Sequence, residues 1–141
     1  PKSDTKTVNR IKAAIEVAKQ ESLAKWGGKI PPNLKMPLRD GDIDRPDDEA
    51  YAGCYFLNAN SREKPQIVDG NVQPIIDQTE VYSGCYGNIT VTFFGYNSNG
   101  NRGIAAGLGN IQKVKDGEPL GGRARASDEF TAVDDDEEFL L

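Results

Sequence analysis

Histidine is absent from this sequence, and that absence excludes more chemistry than any other feature. Without an imidazole there is no Ser-His or Cys-His nucleophile pair and no ordinary general base near neutral pH, which leaves an enzyme only carboxylate, lysine or metal chemistry. Cysteine is nearly as scarce. Cys54 and Cys85 are too few for a disulfide framework, and with no histidine they cannot complete a tetrahedral zinc site without carboxylates. Both are expected as reduced, small core residues. No stretch approaches the roughly 18 uninterrupted apolar residues of a membrane span. No signal-peptide pattern opens the chain either, so no membrane partner is expected. A length of 141 residues suits one domain with a core of modest size.

What is present in excess is negative charge, and it is unevenly placed. Of the 22 Asp plus Glu residues, seven fall within Ser127–Leu141, which has no Lys or Arg. The preceding 126 residues set 17 Lys plus Arg against the remaining 15 acids, a net of +2, although the whole chain is at −5. The chain ends "DDDEEFLL", with Asp134, Asp135, Asp136, Glu137 and Glu138 running into Phe139, Leu140 and Leu141. Such a segment cannot bury enough apolar area to offset its ordering entropy, so 127–141 is expected to be a flexible acidic arm on a domain of residues 1–126. Beside a basic groove, such an arm can mimic phosphates or offer Phe139 and Leu140 to a partner's basic-rimmed apolar pocket.

The first segment, about 3–27, reads as an amphipathic helix. Val8, Ile11, Ile15, Ala18, Ser22 and Trp26 recur at three-to-four spacing, Ser3 or Asp4 supplies the cap, and Gly27 or Gly28 ends it. Residues 28–50 form a long irregular loop. Within it Asp40, Asp42 and Asp44 have the one-three-five spacing of a calcium loop, but Arg45 stands where glycine is needed and Tyr51 where glutamate is needed. A solvated acidic loop is the better expectation, with no metal and no cofactor.

From residue 51 the period changes to two. The runs 51–59, 65–69, 81–97 and 102–115 are rich in β-branched and aromatic residues, and "YNSNGNRG" between the last two reads as a hairpin whose Asn-Gly pair suits positive φ. Gly107 and Gly109 are expected to bend the last strand, as a small closed barrel requires. The fold expected is mainly β with one flanking helix.

Alternation in "NITVTFFGY" sets Ile89, Val91 and Phe93 on a core face and Thr90, Thr92, Phe94 and Tyr96 on the other. Phe94 and Tyr96 are then candidates for a base-stacking platform. In 51–58, Cys54 and Phe56 look buried, which makes Tyr51 and Tyr55 outer-surface candidates. Tyr82 and Tyr86 are similar. Arg62, Lys64, Arg102, Lys113, Lys115, Arg123 and Arg125 cluster at strand ends beside these rings, as a single-stranded nucleic-acid groove requires.

The run "VDGNVQPIIDQTEVYSGCYGNITVTFFGYNSNGNRGIAAGLGNIQKVKDGEPLGGR" (68–123), the upstream "PLRDGD" and the acidic terminus together resemble the phage-encoded single-stranded DNA-binding proteins long catalogued as a domain of unknown function. The resemblance implies a five-stranded OB-fold-like barrel that coats single-stranded DNA in phage replication or recombination within the cytoplasm of the bacterial host. It further implies a tail that recruits polymerase, helicase or primase, in the manner of T7-type and bacterial single-strand binders. Family members usually begin with a strand-forming segment ahead of "PKSDTKTV". Starting at Pro1, the chain is therefore expected to lack its first strand, leaving an open edge or one filled by a second copy in a homodimer. Two rival readings are a metal-dependent phosphoryl-transfer enzyme using Asp40, Asp42 and Asp44, and a protein-interaction module acting through the tail.

Overall fold

The computed structural model describes residues 1–120; the expectations for Arg123, Arg125 and the 127–141 arm lie outside the described residues. Helix α1 spans Thr5–Glu21, and its N-cap is Asp4, whose side chain accepts from the Thr7 N–H. A 3-10 turn, Leu23–Trp26, follows directly and stops at Gly27, which is left-handed at φ 72°. The apolar stripe lies as its spacing predicts: Ile15, Ala18, Ser22 and Trp26 are buried and Ile11 packs against them.

Two short strands, β1 (Arg39–Asp40) and β2 (Tyr55–Phe56), pair antiparallel in a small sheet of their own, bracketing the single-turn helix α2 (Gly41–Asp44) and a 3-10 turn at Glu49–Tyr51. The main sheet is organised about β6 (Asn101–Lys115). One edge of β6 pairs antiparallel with β5 (Tyr86–Ser98) through a turn in which Asn99 and Gly100 both take positive φ, 50° and 86°, as the Asn-Gly pair predicts. Along its other edge lie three short parallel pieces: Lys35 opposite Gly103, β3 (Ala59–Asn60) opposite Ala106–Gly107, and β4 (Ile67–Val68) opposite Ile111–Gln112.

One face of the hairpin meets α1. Phe93 and Ile104 pack with Ile15, Ala18 and Trp26, and Leu34 and Leu38 close the margin. Burying one such aliphatic or aromatic side chain contributes about 1.5–3 kcal/mol, so this small cluster fixes where the helix sits. The approach is closest at Gly95, which is buried; a Cβ there would collide with Ser22 and with the Trp26 ring. The Ser22 hydroxyl accepts the Gly95 N–H at 3.0 Å instead.

The chain is mainly β with one principal helix, as expected, but the described strands do not close into a barrel. The pieces on the far edge of β6 are two residues long or less, and no further strand pairs with β5 among the described residues. The expected strand at 51–59 is broken by the 3-10 turn at Glu49–Tyr51 and by Gly53 at φ 65°. Gly109 sits at a register shift opposite Thr90, whose hydroxyl accepts the Asn110 N–H at 2.7 Å, so this glycine serves a bulge instead of a barrel corner. Cys54 and Cys85 are free but only half-buried, outside the core cluster.

Candidate nucleic-acid interface

Register decides which residues share a face. In β5, Phe93 and Gly95 pack on the helical segment and Val91 shares their parity, while Tyr86, Asn88, Thr90, Thr92, Phe94 and Tyr96 have the parity of the outer face. Their partners in β6 on that face are Lys115, Gln112, Gly107, Ala105 and Gly103. A third row on the same face comes from Asn60 beside Gly107 and Lys35 beside Gly103.

The outer face is therefore aromatic on β5 and small on β6. Phe94 is 45 % exposed, opposite Ala105, with its ring edge against the space above Gly107. Nothing larger than a methyl group stands beside that ring across the strand pair. Tyr96 is half-buried because its ring lies over Gly103, where a Cβ would strike the phenol. Ile89 has the core parity expected for it but is 50 % exposed, since the helix covers Phe93 and Ile104 and does not extend to it.

At the other end of β5, Tyr86 is 57 % exposed and carries the Lys115 ammonium 4.7 Å from its ring centroid. Lys113 is separate. A second register shift, between Tyr86 and Gly87, pairs Lys113 with Gly87 on the opposite face. There it makes a 2.6 Å ion pair with Asp116, which raises its pKa, and lies 5.6 Å above the Tyr82 ring. Tyr82 is half-buried, and its hydroxyl donates to the Gly117 carbonyl at 2.7 Å and accepts the Gly117 N–H at 3.1 Å. These bonds tie the Tyr82 phenol to the turn that follows β6.

The remaining candidates fall elsewhere. Tyr55 is half-buried beneath Lys2 and Lys12, whose ammonium groups are 5.3 and 5.5 Å from its ring centroid. Tyr51 does not share a face with Tyr55. It stacks edge-on against Phe56 at 5.0 Å, with Arg45 near both rings and Arg39 5.1 Å from Phe56. The expectation that Phe56 is core while Tyr51 shares the face of Tyr55 is thus corrected, because the broken backbone between residues 51 and 55 cancels strand parity. Arg62 and Lys64 are exposed between β3 and β4, and Arg102 is exposed at the hairpin tip, its carbonyl accepting from the Lys35 N–H.

The acidic loop is already satisfied by the protein's own groups. Lys2 Nζ bridges Asp40 at 2.7 Å and Asp42 at 2.8 Å, Asp42 also accepts the Gly53 N–H, and Arg39 Nε pairs with Asp44 at 3.3 Å. Hydrogen bonding to Lys2 lowers the pKa of both Asp40 and Asp42. Among the described residues no group of His, Cys, Asp and Glu is arranged to hold a metal ion.

Local patterns in the sequence do not reveal Asn60 or Lys35, because their place on the outer face depends on parallel pairings over 40 residues or more. The amides of Asn88 and Gln112 are bonded across the strands at 3.1 Å, and only their parity relative to Phe94 could have placed them.

Residues 1–140 match the family described as Enterobacter phage Enc34, ssDNA-binding protein. A curated relative, "Putative protein p50" of Acyrthosiphon pisum secondary endosymbiont phage 1, is 37% identical over 153 residues, spanning 99% of this chain and 80% of the relative. Among solved structures, the single-stranded DNA-binding protein from bacteriophage Enc34 in complex with ssDNA superposes with a TM-score of 0.73 at 25% identity, over 86% of this chain and 70% of that one. A second structure of that protein gives 0.71 at 26% identity, over 92% and 73%. A chain matched from its first residue to its penultimate one, with an exposed ring face beside cations, belongs to the family of the single-stranded DNA-binding protein of phage Enc34.

Proposed function

We propose that this chain coats single-stranded DNA without marked sequence preference during phage DNA replication or recombination, in the cytoplasm of the bacterial host, and that it is not an enzyme. The observation that carries the reading is the outer face of β5 and β6, where exposed Phe94 and Tyr86 stand among small and polar neighbours with Lys115 and Lys35 at the ends. Ring faces stack any base, and cations follow the phosphates. The Enc34 protein, solved with ssDNA, has the same fold, which supports carrying the ligand across.

Arg62, Lys64, Arg102, Arg123 and Arg125 extend the cationic margin in this reading, and the acidic ending of the sequence recruits replication proteins such as polymerase, helicase or primase. Binding to long poly-dT should exceed binding to duplex of equal length. It should weaken with salt at a log-log slope of about −0.7 per phosphate neutralised. Equal affinity for duplex, or a flat salt response, would sink the proposal. Removing Ser127–Leu141 takes the net charge from −5 to +2 and should tighten single-strand binding, most visibly at low salt. Phe139→Ala with Leu140→Ala keeps every carboxylate, so it should leave DNA affinity nearly unchanged while abolishing capture of the replication partner.

A further inference from the structure

Tyr86 and Phe94 lie on the same face of β5 but eight residues apart, with Asn88, Thr90 and Thr92 between them and no intervening ring on that face. At about 3.4 Å per residue the two rings are separated by roughly 27 Å along the strand. A single nucleotide cannot touch both. Each ring also has its own surroundings: Tyr86 pairs with Lys115, whose ammonium covers it, whereas Phe94 faces Ala105 and the open space above Gly107.

We infer that the outer face carries two separate base-stacking subsites, Tyr86–Lys115 and Phe94–Ala105–Gly107, joined by a polar row, and that full affinity requires one strand to bridge both. This rests on the single-stranded DNA reading. At a stacked rise of about 3.4 Å per nucleotide the gap corresponds to roughly eight nucleotides, and a stretched strand crosses it with fewer. At the Tyr86 subsite the arriving base takes the ring face that Lys115 covers, and the displaced ammonium is then beside the phosphate of the same nucleotide. The polar row supplies hydroxyls and amides but no stacking surface, so intermediate lengths gain little.

The test is a length series of oligo-dT, from four to sixteen nucleotides, measured by fluorescence anisotropy at fixed salt. The wild-type chain should show a step in affinity of about 5- to 150-fold, the worth of one stacked base, once the oligonucleotide spans the gap. Tyr86→Ala and Phe94→Ala should each abolish the step, since either change leaves a single subsite on the face and lengthening the oligonucleotide can no longer bridge two. Phe94→Leu, which removes the ring but keeps apolar volume, serves if the alanine variant fails to fold. Lys115→Met should lower the magnitude of the salt slope by about 0.7. A smooth length dependence shared by wild type and both ring variants overturns the two-subsite inference while leaving single-strand binding intact, and an unchanged salt slope in Lys115→Met removes that lysine from the subsite. Failure of the wild type to bind any length overturns the underlying reading itself.

Discussion

The indole Nε1 of Trp26 donates to the carbonyl oxygen of Tyr96 at 3.0 Å, joining the end of the helical segment to the strand that carries the candidate platform. The neighbouring bonds reinforce it. Lys25 Nζ donates to the Gly95 carbonyl at 2.8 Å, Asn97 Nδ2 donates to the Lys25 carbonyl at 3.2 Å, and Ser22 receives the Gly95 N–H. The Gly95 N–H and C=O are both taken up by side chains of the helical segment, so at this point an otherwise open strand edge is closed to pairing with another chain. The same residue, Tyr96, lays its ring over Gly103 on the outer face. Helix docking and platform geometry therefore share one stretch of backbone.

Gly95→Ala tests that sharing. Its new methyl group would collide with Ser22 and with the Trp26 ring, neither of which can withdraw without breaking a hydrogen bond. Overpacking of this kind costs about 1–3 kcal/mol. The chain has one tryptophan, so its fluorescence follows the affected contact directly during urea unfolding. An unchanged midpoint would show that the helix sits further from the strand than the hydrogen bonds require.

Phe94 and Tyr82 should respond in opposite ways. Phe94→Ala removes an exposed ring, so it should weaken single-strand binding by about the worth of a stacked base, 1–3 kcal/mol, with little change in stability. Tyr82→Phe removes the hydroxyl that bonds Gly117, so it should cost roughly 0.5–1.5 kcal/mol of stability and leave binding by the folded protein unchanged. Paired urea melts and anisotropy titrations separate the two. Loss of binding in Tyr82→Phe at full folding would move Tyr82 onto the interface.

The parts of this architecture written in short-range periodicity were legible in the sequence. The stripe from Ile11 to Trp26, the Asn99-Gly100 turn and the outward direction of Phe94 each follow from a repeat or a φ requirement that neighbouring residues fully specify. The packing of Tyr51 against Phe56 was not legible, because parity holds only along an unbroken strand and the chain turns at Glu49–Tyr51 and again at Gly53. Barrel closure was not legible in the sequence for a different reason. Whether a sheet closes depends on which distant segments reach the far edge of β6, and here they are Lys35, Ala59–Asn60 and Ile67–Val68, pieces too short to show a period. Gly109 was legible as an interruption of its strand, but not the Thr90 hydroxyl that occupies the space it leaves.

Thr90→Val addresses that interruption. Valine keeps the volume and β-preference but cannot accept the Asn110 N–H, which is solvent-accessible and can turn to water, so the expected loss is modest, about 0.5–1.5 kcal/mol. The register beyond the bulge matters more. It places Gln112 with Asn88 on the outer face and Ile111 with Ile89 on the other. If the bulge slipped, those faces would exchange. Amide hydrogen exchange at Gln112, which pairs with Asn88, should therefore speed up selectively in Thr90→Val, whereas the Ile111 N–H, held by the Gln66 carbonyl on the other edge, should not; uniform protection along β6 would show that the register is held elsewhere.

The ion pairs at Lys2 give a pH dependence whose direction is fixed by the geometry. Asp40 and Asp42 are held below the usual carboxylate range, first by their hydrogen bonds to the Lys2 ammonium and further by the backbone N–H groups of Asp42 and Gly53. A carboxylate with a lowered folded pKa contributes stability that is fully present above its unfolded value, about 3.9, and is lost as pH falls through the folded value. Lys2 is shifted the other way, upwards, by the same two partners, so its share is fully present below the ordinary lysine value of about 10.4 and is lost only as pH rises beyond it. Between these limits the cluster should be insensitive to pH. Lys2→Met keeps most of the aliphatic stem but removes the charge, so both carboxyl groups should titrate closer to their ordinary value, observed by carbon NMR of the side-chain carboxyls. The stability difference between wild type and variant should then shrink as pH drops below about 4. Carboxyls that stay low in Lys2→Met would show that the backbone N–H donors hold them without help, and the acidic loop would owe its shape to its own turns instead of to the N-terminal lysine.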